Sequence, residues 1–393
     1  GDDTEVFAHS TTDYTLSINR VGADTLETIL QVKGTTSRQS NSYSLKQGCL
    51  WSPSRAIPTT HLNPGFYLLS LSAQQPAKHQ WQSPLLVRSV TGRELVVVCP
   101  THTWQAYNAY GGKSNYQDKV TPLDVSYLNN WLSHISATTR LAPYTYLPQR
   151  RPFLHPISKE EPTGHLEKIN GKISSDLYLM EYLEKHNWKY DVIADYDFEK
   201  GIGLSNAKVV IFHNHSEYWS YEGMGMLKQL IAQGINVLFL SGNNIYREVE
   251  MVKGQSLKVI EQRTDRSAVE PITGTYYSDS GYELPLASFR VVRPHHWVFK
   301  GTDVEYGDSF GDGVISGVET DKLGPFSEGF QLLAIGENTS GPAHLVIKEF
   351  AQGNFLFNSS SISSVRALST CDVWQQLVKN VIERGLTSTV PSN

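Results

Sequence analysis

Lys208-Val209-Val210-Ile211-Phe212-His213-Asn214-His215-Ser216-Glu217-Tyr218-Trp219-Ser220 is the stretch whose reading decides the fold. It opens as a continuous apolar, β-branched run, the pattern of a strand buried on both faces, and parallel sheets are built from such strands. Downstream, Gly223 to Gln233 carries Met226, Leu227, Leu230 and Ile231 at helical spacing, and Gly234 is placed to end that helix. A second buried run, Ile235 to Leu240, follows at once, so the unit is βαβ. Outward from it, Leu95 to Cys99 and Tyr190 to Ile193 repeat the strand pattern, and Ser174 to Asn187, with Leu177, Met180, Tyr182 and Leu183, reads as a helix. Residues 91–393 are therefore expected to form an α/β domain with a mostly parallel sheet.

Further along the chain the signals weaken and then return. Residues 254–330 are rich in Gly, Asp, Ser and Tyr, and are expected to form loops and antiparallel hairpins inserted over the sheet. Ala343 to Ile347 and Asn354 to Phe357 read as a hairpin around Gln352-Gly353. Asp372 is expected to cap a last helix, whose stripe is Val373, Trp374, Leu377, Val378, Val381 and Ile382. Residues 1–90 instead show short strands with turn signals: Tyr14 to Ile18, Thr28 to Val32, Gly65 to Leu71 and Leu85 to Arg88. They predict a small N-terminal β-sandwich of immunoglobulin-like type.

Composition excludes several function classes. The 393 residues carry 34 Lys plus Arg against 39 Asp plus Glu, and no basic block, so nucleic acid is not an expected partner. No apolar run approaches the length of a membrane helix, so no membrane span is expected either. Three widely spaced cysteines exclude a disulfide scaffold and a Cys-rich zinc site, leaving nitrogen and oxygen donors for any metal. The start at Gly1 fits a removed signal peptide or a trimmed start, and low charge with abundant Ser, Thr and Tyr leans towards an extracytoplasmic setting.

Open α/β sheets bind ligands beyond the carboxyl ends of their strands. Here one strand end leads into Thr101 to Gly112, with Trp104, Tyr107 and Tyr110; a second into His213 to Ser220; a third into Ser241-Gly242-Asn243-Asn244. Each piece alone also reads as ordinary packing: aromatics under a loop, a core histidine at His213, a turn asparagine at Asn243. Glu217 is different, because a carboxylate among aromatics must be paired, metal-bound or shifted in pKa. No Gly-x-Ser-x-Gly elbow or phosphate-binding loop occurs, and Cys99 reads as a structural thiol.

The runs Thr103-Trp104-Gln105-Ala106-Tyr107-Asn108 with Gly111-Gly112, His215-Ser216-Glu217-Tyr218-Trp219 and Ser241-Gly242-Asn243 resemble the large (beta) subunit of N,N-dimethylformamidase and its C-terminal domain family. His296-Trp297-Val298-Phe299, Gly307-Asp308, Phe310-Gly311, Glu319-Thr320-Asp321 and Gly353 to Asn358 continue in the same order, so the resemblance covers roughly residues 60–385. It implies a three-layer sandwich of glutamine-amidotransferase-like type for the α/β domain, and an amidohydrolase of small N-substituted formamides with one iron held by two tyrosinates and a glutamate; the expected assembly is with a small partner subunit or as a homo-oligomer. Residue by residue, Tyr107 and Glu217 match two of the ligands, and His215 and Asn243 match polar residues on the open side of the metal. The second tyrosine falls in an Arg-Pro-Tyr run, where this chain has Arg151-Pro152-Phe153. Tyr144, Tyr146 or His155 would have to replace it, or the metal differs, or none is bound.

On that resemblance, His215 would move the proton and Asn243 would donate to the oxyanion, with iron polarising the carbonyl. Trp104, Tyr110, Tyr218, Trp219 and His296 would line the substrate pocket; of the adjacent pair His295-His296, at most one side chain reaches it if the segment is extended. The expected ligand is a small amide or another polar molecule. Two other functions use the same aromatic-rich cleft: carbohydrate binding without catalysis, and glycoside cleavage by Glu217 and His215.

Overall fold

A computed structural model describes residues 3–39, 43–44, 47–73, 80–108, 110, 114–115, 146–153, 157, 173–253, 256–263, 265–282 and 284–388. The chain divides into two compact units. The first comprises Gly1–Val87, His102–Ser174 and Val249–Ile260; the second comprises Arg88–Thr101, Ser175–Glu248 and Glu261–Asn393.

In the first unit, β1 (Tyr14–Val21), β2 (Leu26–Gly34), β3 (Gly65–Ala73) and β4 (Gln80–Val87) form one antiparallel sheet in the order β2-β1-β3-β4. Tyr14, Leu16 and Ile18 alternate with polar residues along β1, and they meet Val6, Ala8, Ile57 and Tyr67 in a core of their own. Among the described residues the unit also contains short ladders such as Thr4–Val6 with Arg55–Ile57, and strands of a second sheet in which Tyr146–Pro148, Ser256–Gln262 and Arg247–Val252 are successive neighbours. The short helix α1 (Thr101–Tyr107) buries Trp104, whose ring meets Phe66 edge-on at 6.3 Å.

The second unit is a mixed α/β layer structure around a nine-stranded sheet. Its strands are β5 (Leu95–Cys99), β6 (Tyr190–Ala194), β7 (Val209–His215), β8 (Asn236–Gly242), β9 (Phe289–Val291), β10 (Ser309–Phe310), β11 (Gln331–Gly336), β12 (His344–Glu349) and β13 (Phe355–Asn358). The order is β6-β5-β7-β8-β13-β12-β11-β9-β10. From β6 to β13 every pair is parallel; from β13 to β10 every pair is antiparallel. The sheet expected to be mostly parallel is thus parallel over one half only, because the predicted hairpin turns β12 back beside β13 and later strands extend that edge.

Helices α2 (Ile173–Lys185), α3 (Tyr221–Ala232) and α4 (Asp372–Thr387) pack on the sheet. Met224, Leu227 and Leu230 of α3 bury against Val96, Val210, Phe212, Val237 and Phe239, while Trp374 of α4 stacks on Phe357. Ser220 caps α3 by accepting from Gly223 N–H, and Gly234, at φ 82°, follows its end as predicted. The cap of α4 is not Asp372 but Cys371, whose Sγ accepts from the Trp374 N–H; Asp372 is the first helical residue, where its charge complements the helix dipole. Residues 254–330 contribute short antiparallel ladders, Thr275–Tyr277 with Asp321–Leu323 and Leu284–Ala287 with Ser316–Val318.

Candidate functional site

Strands β7 and β8 run side by side to their carboxyl ends, where Asn214 faces Ser241 and His215 faces Gly242 in register. At that edge the backbone leaves regular β geometry: Asn214, Asn243, Ile245, Val318 and Ser360 all have φ between 51° and 63°. Non-glycine residues adopt this region at a cost, and concentrations of such residues mark functional loops. The turns are pinned by hydrogen bonds across the edge. Ile245 N–H donates to Ser216 O, Tyr246 and Arg247 N–H to Glu217 O, Asp321 N–H to Ser360 O, and Ile362 N–H to Glu319 O.

Those turns bring a buried imidazole between two buried carboxylates. His215 Nε2 lies 3.2 Å from Glu217 Oε2 and 3.2 Å from Glu319 Oε2. His215 is 0% exposed, Glu217 1% and Glu319 5%, so neither charge is screened by bulk water. Arg247 Nε approaches the other Glu217 oxygen at 3.5 Å. Asn243 Nδ2 donates to Glu319 Oε2 at 2.8 Å, and its backbone N–H to Asp321 Oδ1 at 2.9 Å. Burial pushes the Asp321 carboxyl up to about 7, against the lowering effect of the Asn244 and Asn243 N–H groups; Glu319 adds to the rise. Tyr246 and Tyr277 meet edge-to-face at 5.0 Å beside these carboxylates. Burial pushes the Tyr277 phenol up, and the charges of Glu319 and Glu217 push it further.

Of the residues singled out in the sequence, His215, Glu217 and Asn243 thus lie in one cluster. Asn243 is turned differently from the expected oxyanion donor, because its amide nitrogen faces a carboxylate. Tyr218 is buried at the same strand end, but Trp219 belongs to the core with Phe198, Phe212 and Phe239, its indole N–H given to Ser216. Trp219 is therefore packing, not a pocket wall. His296 stands beside Trp297, Glu349 and Arg384, none of which touches His215 in the cluster just described. His213 pairs with Asp176 at 3.2 Å, which also accepts from Asn214 Nδ2. Cys99 is buried, and burial with the charges of Asp176 and Asp195 pushes its thiol well up, in keeping with a structural role.

Trp104, Tyr107, Tyr110 and Phe153 belong to the first unit. There Arg151 donates to the carbonyls of Gln105 and Asn108, capping the end of α1, and Asn108 Nδ2 reaches Pro152 O. The Arg-Pro-Phe run is thereby fastened to the helix that ends in Tyr107. Phe153 is 5% exposed and its phenyl ring offers no donor atom. Tyr146 opens the ladder Tyr146–Pro148, while Gly111, Gly112, Tyr144 and His155 lie outside the described residues. Among the described residues no group of three or more His, Cys, Asp or Glu side chains is arranged to hold a metal ion. Phe153, at the position matched to the second tyrosine, thus supplies no oxygen for a tyrosinate ligand.

Glu319, Asp321, Arg247, Tyr246 and Tyr277 were not among the sequence candidates. The Glu319-Thr320-Asp321 run was visible as a motif, and two acids spaced by one residue downstream of the strand-end loops were the available signal.

Buried strand-end acids around an imidazole, on a mixed α/β sheet, define a site suited to hydrolytic acid/base chemistry. The chain belongs to the N,N-dimethylformamidase beta subunit-like, C-terminal family, whose match spans residues 15–377. Membership points to a hydrolase-type function on amides. No curated protein matches the chain. A solved structure described as "mmIFT52 N-terminal domain" is similar at 14% identity and a TM-score of 0.34, over 53% of this chain and 89% of that one. No helix among the described residues is long and apolar enough to cross a membrane.

Proposed function

We propose that the chain hydrolyses the C–N bond of a small amide, with His215 exchanging protons with Glu217 and Glu319. The observation that carries this reading is the imidazole Nε2 at 3.2 Å from an oxygen of each of two carboxylates. Amide hydrolysis needs a base to take a proton from water and an acid to give one to the leaving nitrogen. An imidazole between two carboxylates holds both functions in one place, and acid/base groups so placed typically contribute 10²- to 10⁴-fold each. Arg247 Nε lies 3.5 Å from the Glu217 oxygen that faces away from His215 and helps to hold that carboxylate in place. The family's description as a beta subunit makes a smaller partner subunit part of the proposal.

The carbohydrate readings have less support. Trp219 and Trp104, the expected stacking faces, are both packed into cores. A glycosidase also needs its two carboxyls to flank a sugar bond, whereas oxygens of Glu217 and Glu319 both lie 3.2 Å from one nitrogen of His215.

Glu217→Gln and Glu319→Gln test the proposal against formamide, acetamide and their N-methyl and N,N-dimethyl derivatives. Each variant is expected to lose at least about 100-fold in kcat/KM while keeping its thermal midpoint within a few degrees. Unchanged turnover in both would remove the cluster from the reaction.

A further inference from the structure

Strand β7 leaves regular geometry one residue before its end. Its ladder with β8 runs to His215 and Gly242, but its ladder with β5 stops at Phe212 and Val98. Two residues on, Asn214 has φ 57° and is 0% exposed. Neighbouring residues of a regular strand point to opposite faces. Here His213 and Asn214 both turn to one oxygen: Asp176 Oδ1 lies 3.2 Å from His213 Nδ1 and accepts from Asn214 Nδ2 at 2.9 Å. The left-handed residue is what lets both side chains reach it. Asparagine is among the few residues that adopt this region, and it does so where its short amide finds a hydrogen bond close by.

The anchor comes from another element. Asp176 lies in the first turn of α2, where the helix dipole favours a carboxylate, and it is 0% exposed. A carboxylate so buried has to be hydrogen-bonded, and the helix fixes where it stands. His215 follows Asn214 directly and faces Gly242, over which the Glu319 segment packs so closely that a Cβ would lie 2.5 Å from Glu319 O. The direction in which His215 leaves β7 therefore decides whether its Nε2 meets Glu217 and Glu319 at 3.2 Å. His213 Nε2 has no hydrogen-bond partner among the described residues, so no proton path runs from Asp176 through that ring.

We infer that Asp176 is a positioning residue: it holds Asn214 in the left-handed conformation, and through that turn it aims His215 at the two carboxylates. Its effect on turnover rests on the amide-hydrolysis reading; its effect on the His215 ring does not. Misplacing a reacting group by about 1 Å, even from a distance, costs about 100-fold in rate. Because Asp176 acts on the direction of the group that moves the proton, the loss falls on kcat and not on KM.

The test measures kcat and KM on N,N-dimethylformamide for the full chain and for Asp176→Ala, each with and without Asn214→Gly. Glycine adopts φ 57° at no steric cost, so it makes the turn independent of the carboxylate. Asp176→Ala is expected to lower kcat by about 100-fold with KM within about two-fold, and to lower it by less than about five-fold in the Asn214→Gly background. Asp176→Asn keeps an acceptor for Asn214 Nδ2 and is expected to retain kcat within about five-fold. Full kcat in Asp176→Ala overturns the inference, as does an equal loss in both backgrounds. The ring ¹⁵N signals of His215, identified by their absence from His215→Gln, give a readout that needs no turnover. They should shift in Asp176→Ala and return in the double variant; signals that stay in place overturn the inference. A chain that turns over no amide sinks the proposed reaction alone, and the ring signals then decide the positioning role. If Asp176→Ala does not fold, Asn214→Ala and Asn214→Gly take its place. Alanine lacks the amide that Asp176 holds and is strained at this φ, so it should lose kcat and shift the ring signals while glycine keeps both; equal behaviour of the two overturns the inference.

Discussion

Asp321 shows what burial does to a single group at this edge. Its folded value, about 7, lies above the ordinary 3.8, so between those pH values the folded chain holds a proton that the unfolded chain has lost. The folded state binds more protons across that window, and the contribution of Asp321 to stability therefore falls as pH rises from about 4 to 7. The total is roughly 4 kcal/mol at most. Thermal midpoints measured from pH 4 to 8 should drop more steeply in the wild-type chain than in Asp321→Asn, which cannot ionise; parallel profiles would show that Asp321 is not the source. The thiols make a second prediction at this scale. Burial raises Cys49 to about 11, and it raises Cys99 and Cys371 as well. A disulfide reagent at pH 8 should find no fast thiol in the native chain and three in denaturant; a rapidly reacting native thiol would contradict the burial.

Elements explain why some of the site was legible and some was not. Glu217 could be read because it follows a strand of unmistakable period, and the strand-end rule then says where it lies. Glu319 sits in residues 254–330, where short ladders alternate with turns, and no periodicity tells which strand end they fold over. The position of Asn243 at a strand end could be read, but the direction of its amide could not, since that depends on a carboxylate 76 residues away. Aromatic residues misled for a related reason: Trp219 follows the strand as closely as Tyr218 does, but its ring turns into the core. The loop after β8 and the helix α3 give a matched pair of glycine substitutions. Gly242→Ala puts a methyl against two backbone atoms and should destabilise by about 1–3 kcal/mol, with loss of turnover. Gly225→Ala, on the exposed side of α3 with nothing within 4 Å, should stabilise by about 0.5–1 kcal/mol. Equilibrium denaturation of the two variants reads both signs.

For the whole second unit, the strand pattern and its βαβ connections were readable, but the sheet's change from parallel to antiparallel depended on the hairpin at Gln352-Gly353 and on what lies beyond it. That change matters to the site, because β13 leads into Ser359-Ser360-Ser361 and the following 3₁₀ turn holds the Glu319 segment down through Ile362 N–H. The turn is in turn held by α4: Trp374 Nε1 donates to Ser364 O at 2.8 Å, and its ring stacks on Phe357 of β13. Trp374 is fully buried. Trp374→Phe keeps an aromatic ring but loses the hydrogen bond and leaves Ser364 O unpaired, so a loss of about 1–3 kcal/mol is expected. Trp374→Ala removes the packing as well and should cost about 3–5 kcal/mol. Because Ser364 and Ile362 share one turn, the phenylalanine variant should also reduce turnover under conditions where it remains folded, since Glu319 loses part of its support. Folded protein with lower stability but full turnover would show that α4 stabilises the sheet without reaching the site.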